Sequence, residues 1–210
     1  MTFSIIIATH GEDRWAKLAH ERALPSALMQ DAHEVLVGHD YEGTRADVRN
    51  ALSEKATGEW LITLDADDEL DEGYVTAMAR AAQPRSLLTP RVSHVKKGIG
   101  GVARFMPEVD LEKGNWMVVG TAVPRDLFLE VGGWRTFTGS GVLNQWDDWD
   151  LWIRCVQAGA EIVKVDDAVY VAHVGVSPHY QRTREQTRAW LKEIREANGI
   201  GGRDAIRNTR

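Results

Sequence analysis

The sequence predicts an α/β fold, a doubly wound and mostly parallel sheet with helices on its faces. Three observations lead there: short β-branched apolar runs, helix-periodic segments between them, and polar turns rich in carboxylates where the apolar runs end. Phe3-Ser4-Ile5-Ile6-Ile7-Ala8 is the first run, a strand buried on both faces and broken by Thr9-His10-Gly11. From Glu12 to Leu28, Trp15, Leu18, Ala19, Ala23 and Leu24 recur at helical spacing, with an interruption expected at Pro25. Val35-Leu36-Val37 is the second strand, ending at Gly38-His39-Asp40. A helix is expected between Thr44 and Lys55, with Thr57-Gly58 in the usual place of a C-terminal glycine. Trp60-Leu61-Ile62-Thr63-Leu64 is the third strand. Ligands of such sheets bind beyond the carboxyl ends of the strands, which singles out the loops after Ala8, Val37 and Leu64.

The second half is less regular. Ser86 to Asn115 reads as strands and a mobile loop around Lys96-Lys97-Gly98-Ile99-Gly100-Gly101. A helix over about Pro124 to Val131 leads to the turn Gly132-Gly133-Trp134. Another runs from near Asp147 to about Gln157, and Glu161 to Val165 is a strand. Tyr180 to Asn198 has the pattern of a charged amphipathic helix.

With 210 residues the chain suits one domain, and 43% hydrophobic with 27% charged residues is the composition of an ordinary folded protein. The net charge of -6 argues against general nucleic-acid binding. The charge is uneven, because from Pro178 onward seven Arg and one Lys face three Glu and one Asp. The simplest reading of that basic segment is a solvated helix face and tail; contact with an anionic partner or another subunit is the alternative. The N-terminus has no signal-peptide pattern and no apolar run reaches membrane-spanning length, so a cytoplasmic location is expected. Cys155 sits among apolar helical residues and reads as a small buried hydrophobe.

Two acidic clusters carry the chemistry. After the third strand come Asp65, Asp67, Asp68, Glu69, Asp71 and Glu72. Carboxylates crowded at the end of a buried strand repel one another, and a divalent ion such as Mg or Mn would relieve them while bridging nucleotide phosphates. The bland alternative is a solvated loop whose acids cap the helix beginning near Asp71. An EF-hand counted from Asp65 fails, because Leu70 stands where the loop glycine belongs and Thr76 where the bidentate glutamate belongs. An aspartyl-phosphatase D-x-D-x-T pattern fails as well, with Glu69 in the hydroxyl position. The second cluster, Trp146-Asp147-Asp148-Trp149-Asp150-Leu151-Trp152, mixes tryptophans with aspartates at a helix start. One aspartate there can be a helix cap; two caps are not needed. A carboxylate beside indole rings, shielded from water, gains a raised pKa and the character of a general base.

In order along the chain, Ile6-Ile7-Ala8-Thr9-His10-Gly11, Val48-Arg49-Asn50, Ala56-Thr57-Gly58-Glu59 before Leu64-Asp65-Ala66-Asp67-Asp68, Val131-Gly132-Gly133-Trp134 and Asp147-Asp148-Trp149-Asp150-Leu151-Trp152-Ile153-Arg154 are similar to the motifs of the family 2 glycosyltransferases. The resemblance spans about residues 3 to 177. It implies a GT-A fold, Rossmann-like and with a C-terminal helix here. A glycosyltransferase domain would cover 1–177, with a nucleotide-sugar half over about 1–90 and an acceptor half over about 91–177; 178–210 would be a basic helix and tail. The implied activity is metal-dependent, inverting transfer of a sugar from a nucleotide-diphosphate sugar, a UDP-sugar being favoured, to an unknown acceptor hydroxyl.

By the same resemblance Asp148 is the catalytic base, and Asp67, Asp65 and His173 hold Mn or Mg. Ala8, Thr9, His10, Asp40, Arg49, Asp65 and Ala66 line the nucleotide-sugar pocket, while Trp116, Asp147 and Trp149 stand on the acceptor side. The chain departs from the family pattern at Ala8, His10-Gly11 and His39-Asp40, all in the nucleotide-base pocket, and at Asp147, where the family has glutamate. A non-catalytic nucleotide-sugar-binding module, and a metal-dependent nucleotidyltransferase or sugar-nucleotide hydrolase, are the rival readings.

Overall fold

A computed structural model describes residues 1–40, 42–137, 146–175 and 183–201. Strand β1 (Phe3–His10) lies at the centre of the first sheet, parallel to β2 (Glu34–Asp40) on one side and β3 (Trp60–Leu64) on the other. The predicted alternation is therefore the observed one, and its cause is burial: every residue of β1 through Thr9 is buried, and so is all of β3. The short β7 (Val123–Pro124) closes the other edge antiparallel to β3, giving the order β2-β1-β3-β7.

Helix α1 (Asp13–Leu18), a π-helical turn (Ala19–Ala23) and α2 (Leu24–Leu28) form one continuous rod. Pro25 was expected to interrupt it. The wide turn moves the preceding carbonyls away from the proline ring and leaves no amide there unpaired, so the rod continues.

Helix α3 (Arg45–Lys55) starts at a reciprocal cap in which Thr44 and Asp47 satisfy each other's backbone amides. It ends with Ala56 already extended. Gly58 therefore does not close it in the expected way. That glycine permits a close approach to β1, since a Cβ there would sit 2.5 Å from Ser4 Oγ.

The second sheet has the order β4-β8-β5-β6. Strand β4 (Glu69–Leu70) pairs antiparallel with β8 (Glu161–His173), which runs parallel to β5 (Ser86–Lys96). Strand β8 thus extends eight residues past the expected end at Val165, beyond a register shift opposite Pro90 and Arg91. The segment read as a mobile loop is a tight hairpin between β5 and β6 (Ile99–Gly100), with Lys97 at φ 52° and Gly98 at φ 77°. Two successive left-handed residues are what a two-residue hairpin turn requires. A pair of hydrogen bonds between Leu88 and Ala122, both 3.0 Å, joins the two sheets.

Helix α4 (Tyr74–Ala81) packs beside β8, and α5 (Arg125–Glu130) follows β7. Helix α6 (Asp147–Gln157) has the bounds read from the sequence. Helix α7 (Arg184–Ala197) lies within the expected Tyr180–Asn198 span; Tyr180 itself falls outside the described residues. Its Ile194 joins Phe137, Trp149 and Ile153 in a small apolar core separate from the main one.

Asp150 ties this region together. With 0% exposure its carboxylate accepts from Arg135 and Arg154 and from the side-chain amide of Asn198, just past the end of α7. Removing the charge leaves two arginines without their shared counterion. Asp150→Ala should therefore lower unfolding stability by about 3–5 kcal/mol in urea titration, the typical cost of breaking a buried ion pair.

Candidate active site

A cleft of about 350 Å³ is lined by the loop after β3, by α3, by β5 and β8 of the second sheet and by the start of α6. Arg45, Arg49, Asp65, Asp68, Asp147 and Asp148 all line it. Sequence reasoning treated the two acidic clusters separately; one buried side chain connects them.

That side chain is Arg49, 1% exposed, on α3. One guanidinium nitrogen donates to Asp65 Oδ1 at 2.6 Å and another to Asp147 Oδ2 at 2.7 Å. The plane sits 4.4 Å from the centroid of Trp134, whose carbonyl and amide are both fixed by Asn50, one residue further along α3. Arg45 donates to the other oxygen of Asp147 at 3.0 Å. Burial works against ionising Asp147, but the two arginines outweigh it and hold its pKa below the ordinary carboxylate range.

Asp148, the next residue, goes the other way. Its Oδ1 accepts from the Trp149 amide at 2.8 Å and its Oδ2 from the Asn115 side chain at 2.9 Å. Burial and the negative charge of Asp147 prevail over those bonds and push its pKa up to about 6. Adjacent aspartates thereby acquire distinct characters, one locked as a carboxylate and one poised to exchange a proton. Asn115 is itself oriented by the Met117 amide.

On the other side, Asp65, Asp67 and Asp68 each offer a carboxylate oxygen within 4.8 Å of the others. The helix-cap explanation of this run fails, because α4 begins only at Tyr74 and has no acidic residue in its first turn. Burial, then the charge of Asp65, raises Asp67 to about 6; burial, then Asp67 and Asp65, raises Asp68 well above its usual value. Three hard oxygen donors this close together, two of them carboxyls with raised pKa values, are a donor set that a divalent cation fits.

Tyr170 donates its hydroxyl to Asp68 at 2.8 Å, and Gly120 gives that ring its room, since a Cβ there would lie 2.2 Å from it. His173 reaches the cluster through its backbone amide, 2.8 Å from Asp68, while its ring Nε2 lies 2.6 Å from Glu69. Arg22, from the π-helical turn, donates to the Asp67 carbonyl at 2.9 Å.

The expected nucleotide pocket follows β1 and β2. Ala8 and Thr9 are buried, with Thr9 Oγ1 2.8 Å from His39 Nδ1. His10 has its pKa lowered by burial and by Arg45 and Arg49, which favours the neutral ring. Asp40 is exposed and accepts from the Glu42 amide at the pocket rim. Ala66 is buried between Asp65 and Asp67.

On the acceptor side, Asp147 faces the cleft, but Trp116 and Trp149 are buried in the cores. The Trp149 indole donates to the Leu111 carbonyl at 2.7 Å. The tryptophan that lines the cleft is Trp146. Arg45 and Asn115 are lining residues that the sequence reading did not name, while Asp68 and Trp146 stood in the two clusters without an individual role. A signal for Trp146 was present, since it stands just ahead of the helix that buries Trp149 and Trp152.

Residues 37–101 match the family model described as glycosyl transferase family 2, which bears out the resemblance read from the motifs. No curated protein matches the chain significantly. Among solved structures, S. aureus TarS 1-349 in complex with UDP-GlcNAc superposes with a TM-score of 0.68 at 16% identity, covering 95% of this chain and 66% of that one. TarS 1-349 in complex with UDP gives 0.64 at 17% identity over 94% of this chain and 65% of that one. A longer TarS structure gives 0.62 at 19% identity, with 86% of this chain and 38% of that one covered. The chain thus spans less than two thirds of these proteins, and the likeness establishes a shared GT-A architecture. No helix among the described residues is long and apolar enough to cross a membrane.

The raised carboxylates make the cation's effect measurable. A carboxyl whose folded pKa exceeds its unfolded value destabilises the fold once pH rises past both, and the penalty disappears as pH falls below the unfolded value. With Asp67 and Asp148 at about 6, chelator-treated protein should melt higher at pH 5 than at pH 7.5. Manganese added at pH 7.5 should raise the melting temperature, and Asp67→Asn together with Asp68→Asn should remove most of that response in differential scanning fluorimetry.

Proposed function

We propose that this chain is an inverting glycosyltransferase that moves a sugar from a nucleotide-diphosphate sugar to an acceptor hydroxyl, with Asp148 as the base. The observation that carries the proposal is the buried guanidinium of Arg49, which joins Asp65, of the first acidic cluster, to Asp147, the neighbour of Asp148, in the lining of one cleft. The family match over 37–101 and the TarS complexes with UDP-GlcNAc and UDP support a nucleotide-sugar donor, and a UDP-sugar above others.

In this reading the nucleotide base lies by His10, His39 and Asp40, and the diphosphate reaches the Asp65–Asp68 edge. A divalent cation held by Asp65, Asp67 and Asp68 would, when bound, supply positive charge against the leaving diphosphate. Arg49 keeps Asp65 and Asp147 at fixed separation and neutralises part of the acidic charge that an anionic donor must approach. Asp148 takes the proton from the acceptor hydroxyl while that oxygen attacks the anomeric carbon from the face opposite the diphosphate, so configuration inverts. Asn115 and the Trp149 amide hold the Asp148 carboxylate in place. Arg45 and Arg49 keep Asp147 ionised, and its charge raises the proton affinity of Asp148.

Asp148→Asn should reduce transfer by about 10²–10⁴-fold, the usual contribution of a general base, and leave UDP binding by isothermal titration intact. Near-wild-type turnover would overturn the assignment. Because the base acts deprotonated and Asp148 sits at about 6, kcat/KM should rise with unit slope below pH 6 and level off above it. Chelation should remove donor affinity, and restoration by Mn or Mg should be lost in Asp67→Asn. Product analysis with a donor labelled in its sugar separates the rivals, since a glycosylated acceptor marks the transferase, free sugar a hydrolase, sugar 1-phosphate a nucleotidyltransferase and unchanged donor a binding module.

A further inference from the structure

We propose that Trp146 is the acceptor platform: its indole packs against the apolar face of a pyranose ring whose hydroxyl meets Asp148, and Trp190 on α7 holds the indole in position. The inference rests on the transferase reading and names the substrate class of its acceptor side.

Trp146, Trp149 and Trp152 are close in sequence but differ in placement. Trp149 and Trp152 are fully buried, whereas Trp146 is partly exposed and lines the cleft next to Asp147 and Asp148. Its backbone is left-handed, φ 81° and ψ 27°, a conformation in which a bulky side chain is strained and a glycine would rest without cost. Strain of this kind, held by its surroundings and lying beside a proton-accepting carboxylate, is where function is looked for.

The surroundings are specific. Trp149 and Trp190 meet the indole near edge-on, with centroids at 6.2 and 6.3 Å. Trp190 is fully buried, and α7 is further locked by its own Thr183–Gln186 cap. Helix α7 therefore reaches the site through one ring pressing on another. Met106, Met117 and Val118 line the same cleft, so the slot that Trp146 borders has apolar surface beside its carboxylates and arginines. A pyranose has a flat apolar face and a polar rim and matches that slot. An open-chain polyol has hydroxyls but no such face, and an indole gains little from it.

The test uses the full chain with radiolabelled UDP-, GDP- and dTDP-sugars as donors and, as acceptors, methyl β-pyranosides against sorbitol. Wild type should transfer to a pyranoside and at least tenfold less to sorbitol. Trp146→Ala should raise the pyranoside KM at least tenfold with a much smaller change in kcat, and Trp146→Phe should restore most of the loss. Trp146→Gly removes the ring while relaxing the backbone, so it should be folded, by a cooperative melt, and as acceptor-defective as the alanine variant. Trp190→Ala should raise the same KM, with rescue by Trp190→Phe. An unchanged acceptor KM in folded Trp146→Gly, or equal transfer to sorbitol, overturns the platform alone. Neither transfer nor hydrolysis of any donor by wild type overturns the transferase reading and the platform with it.

Discussion

A buried guanidinium must be paired, and in this protein one guanidinium is paired twice. Arg49 sits on a helix fixed at its start by the Thr44–Asp47 cap and packed against β1, and it reaches the end of β3 with one nitrogen and the start of α6 with another. Leaving either carboxylate unpaired in the interior would cost several kcal/mol, so the two are bound to a common reference. The end of β3 and the start of α6 therefore cannot drift apart without exposing the charge between them. Asn50 anchors Trp134, the ring under Arg49, so two consecutive residues of α3 serve the same purpose.

This pairing also distributes protons. Two arginines bond Asp147, whereas Asp148 has neutral hydrogen-bond donors, the charge of its neighbour and only the more distant charge of Arg49. Asp67 and Asp68 lack an arginine partner of that kind: Asp67 has a backbone hydrogen bond and the more distant Arg22 and Arg45 against its burial, and Asp68 has hydrogen bonds from His173 and Tyr170. The uncompensated carboxylates on each side of the cleft are those with chemistry assigned to them: a cation on one side, a proton on the other.

Much of the architecture was legible in the sequence because it depends on local pattern. Phe3–Ala8 and Trp60–Leu64 are apolar apart from Ser4 and Thr63, as a strand covered on both faces requires, and the Asp147–Gln157 helix shows its stripe plainly. The acidic run was ambiguous by itself, and it was resolved by where α4 begins rather than by its own spacing. What was not legible depends on partners distant in sequence. Gly58 has the look of a helix terminator, but its reason is Ser4; Trp149 has the look of a sugar platform, but its indole belongs to Leu111. Arg45, Asn115 and Trp146 acquire meaning only when chain segments 33 to 102 residues apart are brought together. The reach of β8 past Val165 was hidden because Asp166 and Asp167 break the apolar pattern where the strand shifts register.

The wide turn at Ala19–Ala23 holds one residue more than a regular helical turn would need. That surplus aims Arg22 at the Asp67 carbonyl and frees the chain from conflict with Pro25. Shortening the turn by a single residue would rewind it as ordinary α-helix and rotate everything on one side by about 100° relative to the other. The rod would keep its length almost unchanged, yet Arg22 would face away from the carboxylates and the proline ring would again meet a carbonyl.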